Sequence, residues 1–267
     1  MSDARREANE RLGADWDVRV LEPSPPAVTE PPWFADDPVA RGAPANGRRI
    51  VSPVPGGDVL WDELAADDPQ LAAWCAERWL GAYRRLAPLP AAYAQTRDAL
   101  HDLAERVVSP ARERANGKIG LRYTRGGFGT PFFGDGEQVR VEGAQLVRAG
   151  PEGEQREPLG VDRASASALA DVFGFATSVL ETLRAELPAA ARAGRVQLWP
   201  EHFDVGLDLV RPASGEEIVA GVSPGDEHHP EPYVYVVGTQ LVVLTYPELP
   251  AAGDQRAAAL AFLRANV

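Results

Sequence analysis

The residues most able to do chemistry in this chain are concentrated between Pro200 and Tyr235. His202 and Asp204 stand two positions apart where apolar and polar residues alternate, which predicts a strand with both side chains on one face. Imidazoles and carboxylates are the groups that bind metals and transfer protons near neutral pH. We therefore predict that any functional site lies in this segment.

The second half of the segment is a loop, bounded by glycine and proline, that carries the same kinds of groups. Together the two halves supply the candidate site residues, which are Glu201, His202, Asp204, Asp226, Glu227, His228 and His229. A strand-borne His-x-Asp pair completed by a later histidine is the ligand pattern of a facial triad, as in non-haem iron oxygenases. On that hypothesis His202, Asp204 and His228, or His229 in place of His228, would hold a divalent metal. The alternative is a surface His–Asp hydrogen bond at a strand end, beside a solvated polar turn.

Two other motifs do not support the chemistry they suggest. The string GVSPG, at 221–225, matches the spacing of a hydrolase nucleophile elbow. The oxyanion hole of that elbow needs the backbone N–H after the serine, and Pro224 has none. The string RGGFGTPFFG, at 125–134, is rich in glycine but lacks the Gly-Lys-Ser/Thr ending of a phosphate-binding loop. It is more typical of a twisted hairpin.

The charge of the chain disfavours polyanionic partners. The net charge is −12, and from Val196 onward there are ten acidic and three basic residues. A nucleic-acid-binding protein must neutralise phosphates with clustered lysine and arginine, and an anionic membrane makes the same demand. We therefore expect neither nucleic acid nor membrane as a partner. A cationic ligand or a metal suits this region better.

The chain also predicts its compartment. It has a single cysteine, Cys75, which allows no intrachain disulfide and suits a reducing cytoplasm. Cys75 stands among apolar residues at helical spacing and is expected to be a small core residue. The N-terminus is charged throughout, unlike a secretory signal. We expect a soluble cytoplasmic protein.

The pattern of elements predicts an α+β fold. Residues 1–57 form a Pro-rich arm, with nine prolines between Leu21 and Gly57, and residues 58–267 form one globular domain. Hairpin-length strands separated by helices favour mainly antiparallel sheets with helices packed against them. The predicted helices start near Asp68, run from Ala91 to Val108 with a stop at Ser109-Pro110, and span Ala164–Leu187 and Asp254–Asn266. The predicted strands centre on Leu121 and Val139 and cover Val196–Trp199, Phe203–Val210, Glu217–Val222 and Tyr233–Tyr246, the last divided at Gly238.

Several strings of this chain resemble a known group of proteins. They are LRYT, GFGTPFFG, QLWPEHFDVGLDL, SPGDEHHPEPYVYV and YPELPAAGDQRAAALAFLR, within residues 45–267. Together they are similar to a group of uncharacterised proteins from high-GC actinobacteria. The resemblance implies an intact cytoplasmic globular protein. No enzymatic activity attaches to that group, so the resemblance leaves the function open.

Two functional hypotheses from different classes follow. The first is a binding or interaction protein in which the acidic His/Asp/Glu region is the recognition surface. The second is a metal-dependent enzyme, an oxygenase or hydrolase, that uses His202, Asp204 and one of His228 or His229.

Overall fold

The computed structural model describes residues 49–50, 59–60, 86–124, 126–130 and 137–267 of the chain. The predictions for the Pro-rich arm, for the helix near Asp68 and for Cys75 lie almost wholly outside these residues. The described strands are β1 Arg49–Ile50, β2 Val59–Leu60, β3 Arg122–Thr124, β4 Gly127–Gly129, β5 Gln138–Glu142, β6 Gln145–Gly150, β7 Gly153–Pro158, β8 Gln197–Trp199, β9 Asp204–Val210, β10 Glu217–Ser223, β11 Tyr233–Val237 and β12 Leu241–Thr245. The described α-helices are α1 Tyr93–Leu103, α2 Ser109–Asn116, α3 Arg163–Glu186, α4 Glu248–Ala251 and α5 Gln255–Asn266.

The architecture is α+β with antiparallel sheets, as the sequence predicts. One five-stranded sheet has the order β3-β4-β5-β6-β7 and the other has the order β12-β11-β10-β9-β8. Every described strand pair is antiparallel and joins strands that are neighbours along the chain. Such meanders form from hairpins, because a short turn returns the chain beside the strand it has just left.

Helix α3 is the centre of the core, and its predicted span is confirmed to within one residue at each end. Asp162 caps it by accepting a hydrogen bond from the backbone N–H of Ser165 at 2.8 Å. Its apolar stripe is buried against β3, β4, β9 and β10. A Cβ at Gly174 would lie 3.1 Å from the ring of Tyr123, so the glycine allows β3 to approach the helix closely.

The two five-stranded sheets meet edge to edge. Leu121, just before β3, forms an antiparallel bridge with Leu198 of β8, with N–H···O distances of 2.8 and 2.9 Å. The bridge continues the antiparallel pairing from β8 to β3. Strands of both sheets pack against the same helix, α3. Side chains from both belong to one hydrophobic core cluster with α3. The site described below lies on the second sheet.

Helix α1 does not stop where the sequence predicts. The chain passes from α1 through a π-helical segment, Ala104–Val108, directly into α2, so the predicted break at Ser109-Pro110 is wrong. Pro110 has no N–H to donate, and its ring would press on the carbonyl four residues earlier in a regular helix. The N–H of Ser109 bonds instead to Ala104, five residues back. The wider turn accommodates the proline without ending the helix.

One described helix is long and apolar enough to cross a membrane. The window lies in α3, over Arg163–Arg184, and 78% of it is buried inside the protein. That is the burial of a core helix rather than of a membrane span.

Candidate functional site

A cavity of about 970 Å³ lies against the second sheet. Its strand residues come mainly from alternate positions of β9, β10 and β11, such as Asp208, Val219 and Val237. The positions between them, such as Leu207 and Ala220, belong to the core around α3. The cavity is therefore on the face of the sheet that turns away from α3.

Strand register divides this face into two ends. At one end Ser223 pairs with Tyr233, beside Asp204 at the start of β9. At the other end Val219 pairs with both Asp208 and Val237, and Val237 pairs with Leu241 of β12. The first end is polar, and the second combines the apolar side chains of Val219, Val237 and Leu241 with the carboxylate of Asp208.

Tyr235 connects the middle of the face to its polar end. Gly221 stands opposite it, and a Cβ there would fall on the Tyr235 ring, so the ring lies flat across the strand. Its hydroxyl donates a hydrogen bond to Oδ2 of Asp204. Tyr235 and Asp204 are each 6% exposed. A glycine at 221 is thus what allows the tyrosine to reach this carboxylate.

The turn between β8 and β9 presents two carboxylates with unused oxygens. Glu201 lies in this turn and Asp204 directly after it, and both line the cavity. Oε2 of Glu201 and Oδ1 of Asp204 are buried, and neither has a hydrogen-bond partner in the described part of the chain. Buried polar atoms are normally paired, so two such oxygens beside one cavity indicate a place for a donor from outside the chain.

Phe203 fixes the shape of that turn. Its φ of 53° is in the left-handed region, which is unfavourable for a residue with a bulky side chain. Its ring stacks on His101 with centroids 4.9 Å apart and meets Phe128 and Phe173 edge-on at 5.1 Å. We attribute the persistence of the strained backbone to this packing, because the ring is fully buried.

The following loop is organised by Asp226. Its carboxylate accepts hydrogen bonds from the backbone N–H groups of His228 and His229, both at 2.7 Å, and from the Tyr233 hydroxyl at 2.6 Å. Burial raises the pKa of Asp226, but these hydrogen bonds outweigh it and the pKa lies below its usual value. Burial also raises the pKa of Tyr233, and the bond to Asp226 raises it further. Asp226 is thus held ionised and Tyr233 protonated, as a donor–acceptor pair.

The histidines of this loop are turned away from the cavity. The His228 side chain is 77% exposed, with Nδ1 3.6 Å from the still more exposed carboxylate of Glu227. The ring of His229 lies against Tyr233 at 5.0 Å. Of the candidate residues, Glu201, His202, Asp204, Asp226 and Glu227 line the cavity, and His228 and His229 do not.

The facial-triad hypothesis has no matching geometry. Strand β9 begins at Asp204 and His202 lies exposed in the preceding turn, so the prediction that both leave one strand face is wrong. Among the residues that the structure describes, no group of three or more His, Cys, Asp or Glu side chains is arranged to hold a metal ion. His202, Asp204 and His228 are all among those residues.

Helix α1 contacts the β8–β9 turn and the loop between β10 and β11 through three proline carbonyls. Tyr93, Arg97 and His101 are spaced four residues apart, so they lie along one face of the helix. The Tyr93 hydroxyl donates to Pro224 O at 3.0 Å, Arg97 Nη1 donates to Pro230 O at 3.0 Å, and His101 Nε2 lies 2.9 Å from Pro200 O. His101 is half-buried, and its ring also stacks on Phe203.

Sequence reasoning missed several residues of the cavity. These are Arg97, Asp98, His101, Asp208, Ser223, Tyr233 and Tyr235. The alternation of β9 and β11 already placed Asp208, Tyr233 and Tyr235 on the polar face, and the i, i+4, i+8 spacing of Tyr93, Arg97 and His101 was visible. These signals point to a shared face, but only the fold shows that the two faces meet.

Comparison with protein-family models, with curated proteins and with solved structures finds no match for this chain.

Proposed function

We propose that this protein is a soluble cytoplasmic binding protein that takes a small molecule in the cavity on β9–β11. The observation that carries the proposal is the pair of buried, unpartnered carboxylate oxygens on Glu201 and Asp204 at the wall of a large cavity. An oxygen that the fold shields from water and leaves unpaired costs stability unless a ligand donor satisfies it.

The form of the cavity supports the same proposal. Its volume of about 970 Å³ is within the range of small-molecule sites, which run from about 300 to 1,000 Å³. Such sites combine apolar walls with fixed polar groups, and this cavity has both, with Val219 and Val237 among its apolar residues and seven carboxylates among its polar ones. The polar groups are fixed by hydrogen bonds, from Tyr235 to Asp204 and from Tyr233 to Asp226. A site held in this way pays little ordering cost when it binds.

The charge and cysteine content support the choice of partner and compartment. Seven carboxylates and two arginines line the cavity, in a chain of net charge −12, so nucleic acid and anionic membrane are disfavoured partners. A single cysteine suits a reducing cytoplasm. A metal-dependent enzyme is the other hypothesis. It would need His228 as a ligand, and that side chain is exposed to solvent and does not line the cavity.

Filling the cavity tests the proposal. Val219 is buried and lines the cavity, so Val219→Trp would occupy ligand space, whereas Val242→Trp makes the same change at an exposed position outside the lining. A metabolite library is screened by thermal unfolding of the wild type and of both variants. A ligand at a hundred times its Kd stabilises by about 2.7 kcal/mol, which raises Tm by about 5–10 °C in a protein of this size.

We expect at least one compound to raise the Tm of the wild type and of Val242→Trp, and not of Val219→Trp. The proposal is overturned if no compound stabilises the wild type, or if every stabilising compound acts equally on Val219→Trp.

A further inference from the structure

We infer that the ligand is an organic cation, an ammonium or guanidinium group carried on an apolar body. Its charged group binds at Glu201 and Asp204, and its body lies across Val219, Val237 and Leu241. The inference rests on the proposed small-molecule function and adds the chemical class and orientation of the ligand.

The electrostatics of the cavity select a cation. Seven carboxylates face two arginines in its lining. One of those arginines, Arg97, is already engaged, with Nη2 2.7 Å from Asp98 and Nη1 bonded to the carbonyl of Pro230. The surplus negative charge is therefore not neutralised from within the lining, and a concave site concentrates such a field.

The unused hydrogen-bonding capacity at the polar end consists of acceptors. Oε2 of Glu201 and Oδ1 of Asp204 are carboxylate oxygens, which in the ionised form only accept. An ammonium group brings three N–H donors and a guanidinium brings five, so either can serve both carboxylates. A neutral ligand could offer these oxygens only weaker, uncharged hydrogen bonds, and an anionic ligand would be repelled by the surrounding carboxylates.

At the other end of the face, three apolar side chains beside Asp208 fit an apolar body. Val219, Val237 and Leu241 are neighbours across three strands, through the pairs Val219–Val237 and Val237–Leu241. Leu241 is 56% exposed. It and Val242 are the two exposed large hydrophobic residues in the described part of the chain. Covering it would remove apolar surface from water. The Tyr235 ring lies between the two ends, where an aromatic face also attracts a cation.

A matched series of six-carbon probes tests the ligand class. Hexylamine is cationic at pH 7, hexan-1-ol is neutral and hexanoate is anionic, while their apolar bodies are alike. Each is titrated into the full-length wild-type chain and its dissociation constant is measured by NMR chemical-shift changes. We expect hexylamine to bind about tenfold or more tightly than hexan-1-ol, the scale of one charge-assisted hydrogen bond. Hexanoate is expected to bind more weakly than either.

Two variants locate the cation. Glu201→Gln changes a half-buried turn residue and Asp204→Asn a buried one, so the first keeps the test valid should the second fail to fold. Each should weaken hexylamine binding by about tenfold while leaving hexan-1-ol unchanged. Glu157→Gln, on exposed β7, removes the same charge far along the other sheet and should leave both probes unchanged.

The outcomes separate this inference from the proposed function. Equal binding of hexylamine and hexan-1-ol, abolished for both by Val219→Trp, would keep small-molecule binding and overturn the cationic class. Loss of hexylamine affinity in Glu157→Gln equal to that in Glu201→Gln would reduce the effect to net charge and overturn the assigned position. Binding of Mg²⁺ or Ca²⁺ alone that displaces hexylamine, and is lost in Glu201→Gln, would make the site a metal site and overturn the inference.

Discussion

Asp226 shows how one carboxylate can organise a loop that is rich in histidine and acidic side chains. The loop contains two histidines and three carboxylates. The carboxylate of Asp226 accepts hydrogen bonds from two backbone N–H groups and from the Tyr233 hydroxyl. The two histidines donate through their backbones, and their rings turn outward or against Tyr233. Residue type therefore indicates a candidate region, whereas the role of each residue depends on which of its groups the loop uses.

The lowered pKa of Asp226 gives a pH-dependent prediction. A carboxylate whose pKa is lower in the folded than in the unfolded state stabilises the fold above its unfolded pKa, near 3.8, and loses that contribution as the pH falls through the folded value. We expect Asp226→Asn to lower the free energy of unfolding at pH 7 by about 1–2 kcal/mol, because charged acceptors bind more strongly than amides. The difference from wild type should shrink below pH 3.8.

Urea unfolding at pH 7 and at acidic pH measures this difference. Glu227→Gln is the matched control. The Glu227 side chain is next to Asp226 in sequence but 88% exposed, so this variant should show almost no change in stability at either pH. A deficit in Asp226→Asn that is as large in acid as at pH 7 would contradict the role of the ionised carboxylate.

At the scale of elements, helix α3 is the element against which both five-stranded sheets pack. Leu180 is fully buried within its apolar stripe. Leu180→Ala should lower the free energy of unfolding by about 2–5 kcal/mol, through lost burial and the cavity left behind. Leu241→Ala removes the same atoms from a residue that is 56% exposed, and in the absence of ligand it should cost much less. Urea unfolding of both variants checks this, and losses of equal size would contradict the placement of α3.

The elements that sequence predicted well are those with strong local signals. The α3 stripe and the alternation around β9 each repeat over several residues, and both elements are seen in the structure. The errors occurred where tertiary context overrode a local rule. Pro110 should end a helix, and a π-helical segment lets it continue. The exposed strand β7 carries no apolar alternation, so its pairing with β6 was not visible.

The candidate site was predictable in part for the same reason. Glu201, Asp204 and Asp226 were found because carboxylates near histidines are conspicuous in sequence. The ladder of Tyr93, Arg97 and His101 was not found, since its contacts join a helix to loops that are 99 to 133 residues away along the chain. Contacts of that kind are set by how the sheet wraps around the core, which no local pattern encodes.

At the scale of the whole molecule, the bridge between Leu121 and Leu198 turns two five-stranded sheets into one surface around α3. The wrapped sheet brings the β8–β9 turn beside Phe128 of β4, which packs edge-on against Phe203. The first sheet therefore supports the strained turn that presents Glu201 and Asp204. The stability of the binding face and of the opposite sheet should be coupled for this reason.

This coupling predicts a single cooperative unfolding transition for the two sheets. Leu146 on β6 and Leu207 on β9 are both buried in the common core, one in each sheet. Leu146→Ala and Leu207→Ala should each lower the free energy of unfolding by about 2–5 kcal/mol and shift the same transition. Far-UV circular dichroism and hydrogen exchange of β5 and β10 amides, read in urea, report both sheets at once. Two separated transitions, or a variant that destabilises only its own sheet, would show that the bridge joins independent units. A single shifted transition would place the binding face and its supporting sheet in one cooperative structure, so that ligand binding at Glu201 and Asp204 would protect β5 as well as β10.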